Sequence, residues 1–184
     1  MNSLHLKEAV RICEEGGVIA YPTEAVFGLG CLPLNEHSVQ RILKLKQRSV
    51  DKGLILVAAS IEQLNTFVDF SKVKDMQAIR DSWPGPVTWL IPAKQSTPYW
   101  LTGGHKTLAV RVSSCPTVQS LCEKLGPIVS TSANPKLATP AKSSVQVDSY
   151  FKTGLDYVIP AHITNTYKPT EIRDAQTGDI FRLS

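Results

Sequence analysis

The sequence predicts an α/β protein in which a single domain, residues 1–184, is built on an open mixed sheet flanked by helices. Segments with the apolar spacing of amphipathic helices alternate with short strand-like apolar runs along the chain. One of these runs, Leu-Ile-Leu-Val at 54–57, is continuously apolar, which is typical of a strand buried on both faces. A length of 184 residues and a hydrophobic fraction of 42% allow one substantial core.

Several segments are predicted to be helical from the spacing of their apolar residues. Apolar residues at 6, 9, 10 and 13 define the first helix, which the pair Gly16-Gly17 ends. Pro116 begins a later helix and Gly126 closes it. The other predicted helices cover residues 36–46, 61–67, 73–82 and 145–151.

Strands are predicted where β-branched and apolar runs are bounded by turn residues. They cover residues 18–21, 54–58, 87–91, 108–112, 128–129 and 157–159, followed by a final hairpin of 168–174 and 179–183. Gly28-Leu29-Gly30 lacks the third glycine of a dinucleotide-binding fingerprint. These glycines are instead expected to allow a tight backbone under a ligand or against the sheet.

The composition excludes several classes of protein. A formal net charge of +4 is compatible with an anionic ligand or RNA and requires neither. No stretch of about 18 apolar residues is present, so no membrane span is expected, and the first residues lack the apolar region of a signal peptide. Four cysteines without a CxxC pair favour reduced thiols in the cytoplasm, and four scattered histidines predict no metal site.

The most unusual stretch is the basic segment 41–52, which carries five cations and a single acid, Asp51. Apolar residues at 39, 42 and 43 form a helix stripe, and the next position on that stripe is Lys46. A lysine directed toward the core loses hydration free energy unless it meets an anion. The segment is therefore either a solvated helix face or one wall of a pocket for a phosphate chain or a carboxylate.

Polar residues occur near the ends of several predicted strands. Arg111 alternates with the apolar residues of strand 108–112, so it is either exposed at a sheet edge or directed into a cleft. Segment 130–134, Ser-Thr-Ser-Ala-Asn, follows a short strand and either caps a turn or binds a ligand. Because ligands of open α/β sheets bind beyond strand ends, these groups and Thr23-Glu24 are expected to meet there.

The chemistry of these groups favours binding over nucleophilic attack. The sequence contains neither HExxH nor GxSxG, and no histidine lies near a serine or cysteine in a known catalytic frame. Hydroxyls combined with Lys and Arg suit phosphates and a zwitterionic amino acid. Reactions at phosphorus need mainly positioning and charge neutralisation, so no protein nucleophile is required.

Five short motifs occur in order along nearly the whole chain: Tyr21-Pro22-Thr23-Glu24, Lys46-Gln47-Arg48, Pro84-Gly85-Pro86-Val87-Thr88, Ala109-Val110-Arg111 and Ser130-Thr131-Ser132-Ala133-Asn134. Each motif alone is weak, but in this order they closely resemble the YrdC-like family of threonylcarbamoyl-AMP synthases. The C-terminal Glu171-Ile172-Arg173-Asp174 and Phe181-Arg182 also resemble its short bacterial form.

The resemblance implies a twisted open sheet with a deep, positively charged cavity, and it implies an enzyme, a nucleotidyltransferase. Members of that family join L-threonine, bicarbonate and ATP into threonylcarbamoyl-adenylate and release pyrophosphate. The product feeds the N6-threonylcarbamoyladenosine modification at position 37 of tRNAs that decode ANN codons, through a partner transferase complex. Mg²⁺ is expected on the ATP phosphates, because the sequence offers no carboxylate cluster to hold it.

The resemblance also implies roles for individual residues. The KxR and SxN pairs are implied to be catalytic: Lys46, Arg48, Ser132 and Asn134. Contacts to threonine or its carbamate are implied for Thr23, Lys52, Arg111, Ser130 and Thr170. Contacts to ATP are implied for Lys46, Arg48, Thr107, Ser132 and Arg182.

Two other hypotheses remain open. The basic concavity could bind tRNA, rRNA or double-stranded RNA through backbone contacts, although a duplex does not easily reach Lys46 on a core-facing stripe. A steep salt dependence without ATP turnover would favour this hypothesis. A regulatory module that binds carbamoyl phosphate would instead bind its ligand and form no adenylate.

Overall fold

The computed structural model describes residues 3–164 and 170–182, and these form an α/β fold. The helices are α1 Ser3–Glu14, α2 Glu36–Lys46, α3 Ile61–Leu64, α4 Met76–Ser82, α5 Tyr99–Thr102, α6 Pro116–Leu125 and α7 Ser144–Phe151. The strands are β1 Ile19–Pro22, β2 Phe27–Gly30, β3 Ile55–Ala58, β4 Val87–Pro92, β5 Thr107–Val112, β6 Ile128–Ser132, β7 Tyr157–Val158, β8 Glu171–Asp174 and β9 Ile180–Arg182.

The described strands form one sheet in the order β7-β1-β2-β6-β3-β5-β4-β8-β9. The pairs β1–β7, β3–β5 and β4–β8 are parallel, and the other neighbouring pairs are antiparallel. The predicted open mixed sheet is therefore confirmed. None of the described helices is long and apolar enough to cross a bilayer.

Most elements lie where the sequence predicts them, and the differences include β6, which extends through Ser132 beyond the predicted 128–129. The sequence does not predict β2, because Gly28 and Gly30 are residues that strands usually avoid. It also does not predict the single-turn helix α5. The helices predicted at 61–67 and 73–82 are shorter, as α3 and α4. The final hairpin is present as β8 and β9, and residues 168–169 and 183 of the prediction lie outside the described residues.

Helices pack against both faces of the sheet in two apolar clusters. On one face, α1 and α6 pack Ala9 and Leu121 against Val57 and Ile128. The opposite face, which includes Leu56, packs against residues of α2, α3, α4, α5 and α7. Because adjacent residues of a strand point to opposite faces, β3 contributes to both clusters.

Backbone pairing places a second row of side chains, the Ser130 row, on the same face as Val57. Ser130 pairs with Ile55, Ile55 with Ala109, and Ala109 with Leu90. Ile55 lies two residues before Val57, so the whole row shares its face. Helices α1 and α6 pack on the Val57 position, whereas the Ser130 row lines a cavity. The fold therefore leaves part of one sheet face open to a ligand.

The two glycines of β2 let an aromatic ring lie directly against that strand. A Cβ atom at Gly30 would lie 2.7 Å from Tyr21 Cε1 and 2.8 Å from Val129 O. A Cβ atom at Gly28 would lie 3.2 Å from Tyr21 Cζ and 3.4 Å from Ser130 Oγ. The expectation of a tight backbone against the sheet is thus confirmed. The ring of Tyr21 occupies the space that side chains at positions 28 and 30 would need.

Candidate active site

The open part of the sheet face forms a cavity of about 720 Å³, and the Ser130 row contributes to its lining. The turn 23–26 between β1 and β2, the first two residues of β2 and the segment 52–54 before β3 supply further lining residues. A smaller cavity of about 380 Å³ adjoins it, because Arg48, Lys52, Thr131 and Ser132 line both. Two neighbouring compartments with a common wall are suited to a reaction between two substrates.

The structure brings ten of the eleven predicted site residues to these two cavities. Those that line the larger cavity are Thr23, Arg48, Lys52, Thr107, Arg111, Ser130, Ser132 and Thr170. Lys46 and Asn134 line the smaller cavity. Arg182 ends β9, and its side chain lies outside the described residues. The chemical roles of these residues remain predictions.

The expectation that the site lies beyond the strand ends is wrong for part of the site. Thr23 and Asn134 do follow the ends of β1 and β6. Ser130 and Ser132 lie within β6, because they pair with Ile55 of β3 and Gly28 of β2. Arg111 likewise lies inside β5. Hydroxyl residues give a weak strand signal in a sequence, so only the pairing of β6 with its neighbours reveals that the strand continues. The cavity is therefore on the sheet face.

Lys46 connects the end of α2 to the end of β6. Its Nζ donates hydrogen bonds to Ser132 O and to Asn134 O at 2.9 Å, and it lies 3.4 Å from Asn134 Oδ1. Ser132 Oγ donates to the same Oδ1 at 2.6 Å. The buried ammonium is thus compensated by oxygen atoms of Ser132 and Asn134, and it lines the smaller cavity. Burial and the neighbouring Arg48 lower the pKa of Lys46 to about 8.

The chain after α2 is arranged so that Arg48 faces both cavities. Gln47 ends the helix in the left-handed conformation with a φ of 48°. Arg48 Nη2 then donates to Lys52 O at 3.2 Å and to Gly53 O at 2.9 Å. Its Nε is buried and has no hydrogen-bond partner among the described residues. Burial lowers the pKa of this guanidinium, which lines both cavities.

Arg111 is directed into the cleft, which decides between the two alternatives that the sequence leaves open. Strand β5 lies between β3 and β4, and the Arg111 residue is 6% exposed. Its Nη1 donates to Thr170 Oγ1 at 2.9 Å and lies 3.4 Å from Thr88 Oγ1. Its Nη2 lies 4.0 Å from Glu24 Oε2, and its buried Nε has no partner among the described residues. The guanidinium therefore retains donors for an anionic group.

Three polar residues around Arg111 have no role in the family resemblance: Glu24, Thr88 and Ser113. Ser113 Oγ donates to Glu24 Oε1 at 2.5 Å and accepts from Cys115 N at 3.1 Å. Ser113 follows Arg111 by two residues, so strand periodicity alone places both on one side. That periodicity is a signal in the sequence that could have identified Ser113 as a residue near the site.

The two cavities together carry a positive formal charge. Their cations are Lys46, Arg48, Lys52, Arg111 and Lys136. Their carboxylates, among the described residues, are Glu24 and Asp174. A concave surface with excess cations and several hydroxyl groups favours ligands that carry phosphate or carboxylate groups.

The described residues contain no cluster of three or more histidine, cysteine, aspartate or glutamate side chains that could hold a metal ion. Mg²⁺ prefers oxygen ligands and often binds through substrate phosphates and water.

The fold and the site define an α/β protein with a concave site for small anionic ligands. The profile of the Sua5/YciO/YrdC family, whose description is telomere recombination, matches residues 11–184. The chain belongs to this family, and the resemblance of its motifs is confirmed.

Curated relatives match nearly the full length of the chain. The threonylcarbamoyl-AMP synthase of Pseudomonas aeruginosa is 45% identical over 182 residues, which are 99% of this chain and 98% of the relative. The threonylcarbamoyl-AMP synthase of Klebsiella pneumoniae is 50% identical over 177 residues, which are 95% of this chain and 93% of the relative.

Solved structures of the family share the fold. The structure of P. abyssi Sua5 in complex with L-threonine matches with a TM-score of 0.84 and 31% identity over 92% of this chain. The chain spans about half of that protein, 50% of its length. E. coli YciO matches with a TM-score of 0.79 and 27% identity, over 95% of this chain and 84% of YciO.

Proposed function

We propose that this chain is a threonylcarbamoyl-AMP synthase, which joins L-threonine, bicarbonate and ATP into threonylcarbamoyl-adenylate and releases pyrophosphate. The observation that carries the proposal is the convergence of ten predicted site residues on two adjoining cavities. Relatives named for this activity match 93–98% of their own length, which supports the same conclusion.

In this proposal the larger cavity binds threonine. Arg111 receives the carboxylate through Nη2, because its contact with Glu24 Oε2 at 4.0 Å is too long for a hydrogen bond. Thr23, Ser130 and Thr170 offer hydroxyls near it, and Lys52 lies on the wall shared with the smaller cavity. A zwitterion with a hydroxyl side chain matches this combination of groups.

The smaller cavity and the shared wall then bind the triphosphate of ATP. Arg48 supplies a guanidinium that lines both cavities, and Lys46 adds positive charge while it holds Ser132 and Asn134 in place. Thr107 lies at the larger cavity and is assigned to ATP with Arg182 by resemblance. Mg²⁺ would arrive on the phosphates, since the described residues contain no cluster of three or more His, Cys, Asp or Glu side chains.

The reaction needs two anions to approach each other. The neutral amine of threonine combines with bicarbonate to give a carbamate and water. A carbamate oxygen then attacks the α-phosphorus of ATP, and the bond from that phosphorus to the bridging oxygen breaks and releases pyrophosphate. Cations between the two cavities reduce the repulsion between carbamate and triphosphate, and the fixed cavity walls orient them. No protein nucleophile is required.

The proposal extends to the setting of the enzyme. Residues 1–184 would act as one domain in the cytoplasm, where three buried cysteines and one partly buried cysteine remain free thiols. The adenylate would pass to a transferase complex that modifies adenosine 37 of tRNAs decoding ANN codons.

The test is pyrophosphate release by the purified protein with ATP and Mg²⁺, with threonine and bicarbonate omitted in turn. Release that requires both, together with an adenylate detected by mass spectrometry, is the expected result. Absence of release from folded protein would overturn the proposal. Salt-dependent tRNA binding would then favour the RNA-binding hypothesis.

A further inference from the structure

Glu24 is a carboxylate in the larger cavity for which neither the family resemblance nor the proposed reaction supplies a role. It lies in the turn after β1, and its side chain is 16% exposed. Ser113 Oγ donates to its Oε1 at 2.5 Å, which fixes the direction of the carboxylate. Ser113 is itself held by Cys115 N at 3.1 Å, so its hydroxyl hydrogen points to Glu24. Glu24 is therefore oriented by the backbone at the end of β5.

The second oxygen of Glu24 faces Arg111 without a close ion pair. Glu24 Oε2 lies 4.0 Å from Arg111 Nη2, whereas charge-assisted hydrogen bonds are about 2.7–2.9 Å long. Arg111 donates instead to Thr170 at 2.9 Å, and its Nε stays unpaired among the described residues. Both charged groups thus retain hydrogen-bonding capacity toward the cavity.

An amino acid carries its ammonium and carboxylate groups on the same α-carbon, so its site needs an acceptor beside the cation that binds the carboxylate. Among the described residues that line the larger cavity, the carboxylates are Glu24 and Asp174. Asp174 Oδ1 already accepts from Gln176 N at 2.7 Å and from Thr177 N at 3.1 Å in the turn after β8. Glu24 is thus the carboxylate that remains oriented toward Arg111.

We propose that Glu24 Oε2 accepts a hydrogen bond from the α-ammonium of threonine while Arg111 binds its carboxylate. Glu24 then selects threonine over the same hydroxy acid without an ammonium group. This inference rests on the proposed function, since it takes threonine as the ligand of the larger cavity.

A purely structural role for Glu24 predicts a different outcome. If Glu24 only balanced the charge of Arg111, its neutralisation would change the affinity for every carboxylate ligand in the same direction. An ammonium acceptor affects only the ligand that has an ammonium group. The ratio of two affinities therefore separates the two roles, because effects common to both ligands cancel.

The experiment compares L-threonine with 3-hydroxybutanoate, which has the same carboxylate, hydroxyl and methyl groups but no ammonium. Calorimetric titration gives both affinities for the wild type, for Glu24→Gln and for Asp174→Asn. Glu24→Gln keeps an oxygen that can accept from Ser113, and Asp174→Asn removes the same charge elsewhere in the cavity.

We expect the wild type to prefer threonine and Glu24→Gln to reduce that preference about tenfold to a hundredfold, the range for loss of one hydrogen bond to a charged group. Asp174→Asn should keep the preference of the wild type. An unchanged ratio in folded Glu24→Gln would overturn the inference. Equal affinity of the wild type for both ligands would also overturn it, without reliance on any variant.

These outcomes differ from failure of the proposed function. If the wild type neither binds threonine nor releases pyrophosphate with threonine and bicarbonate, the proposed function itself is wrong. If it does both while Glu24→Gln leaves the ratio unchanged, only the role of Glu24 is wrong.

Discussion

A methyl group at Gly30 should destabilise the fold, and one at Gly28 should disturb the site. At Gly30 the added carbon would lie 2.7 Å from Tyr21 Cε1 and 2.8 Å from Val129 O. A ring inside the core and a strand carbonyl cannot both move away. At Gly28 the contacts are 3.2 Å to Tyr21 Cζ and 3.3 Å to Thr23 Cγ2, which shifts of a few tenths of an ångström relieve.

The expected magnitudes follow from these contacts. Overpacking in a core costs about 1–3 kcal/mol. Replacement of glycine by alanine returns about 0.4–1 kcal/mol by restricting the unfolded chain. Gly30→Ala should therefore lose about 1–2 kcal/mol, which for a chain of 184 residues lowers Tm by about 2–8 °C. Gly28→Ala should stay close to the wild type in stability, because its smaller strain is offset by the same entropic gain.

Thermal melting and urea titration of the two variants measure the stability difference, and threonine titration measures the effect on the site. Gly28→Ala should weaken threonine binding several-fold, because the methyl group pushes on Thr23 and Ser130. If Gly30→Ala melts within about 1 °C of the wild type, the packing of Tyr21 on β2 has been described wrongly. If Gly28→Ala binds threonine normally, Thr23 and Ser130 do not position this ligand.

Three further predictions concern the charged groups of the site. Arg111→Lys should raise the KM for threonine about tenfold with a smaller change in kcat, because one ammonium cannot replace a guanidinium that donates in several directions; steady-state pyrophosphate release measures both. ATP affinity should fall as pH rises through about 8, because Lys46 with its pKa of about 8 loses its charge there. Calorimetry should show this fall in the wild type and not in Lys46→Met. Asn134→Ala should lose about 1–3 kcal/mol by thermal melting, because its side chain donates to Ala138 O at 2.8 Å and accepts from Ser132 Oγ.

Each of these predictions has a contradicting outcome. A KM change in Arg111→Lys no larger than that of a surface control such as Lys44→Met would remove Arg111 from the threonine site. A pH dependence of ATP affinity that persists in Lys46→Met would assign it to another group. Unchanged stability of Asn134→Ala would mean that its hydrogen bonds do not hold the chain after β6.

The sequence predicts best what depends on local periodicity. Helix α2 has the predicted bounds, residues 36–46, because its apolar stripe is regular and Gln47 ends it with a left-handed turn. The basic residues after it are correctly expected beside a buried strand. The orientation of Arg111 could not be predicted in this way. The alternation of residues along β5 shows which face of the sheet Arg111 is on, but not which strands lie beside β5. Only the sheet order decides between an exposed edge and a cleft.

The location of the site could not be predicted for a related reason. Residues 128–129 alone have a strand-like composition, so the sequence places the hydroxyls that follow them after a strand end. Strand β6 continues through Ser132 because β2 and β3 pair with it on both sides. The partners of Lys46 are carbonyl oxygens of that same segment, which no side-chain pattern reveals. Information about pairing between distant segments is absent from local periodicity.

The register between β3 and β6 places the apolar cluster around Val57 and the site on one face of the sheet. Val57 packs against α1 and α6, and Ile55, two residues earlier on β3, lines the cavity beside Ser130. A slip of one residue between β3 and β6 would turn Ser130 to the opposite face and bring Val129 into the cavity. Packing of Val57 and Ile128 under the two helices resists that slip. The position of the Ser130 hydroxyl at the site is thus maintained by apolar contacts that never touch a substrate.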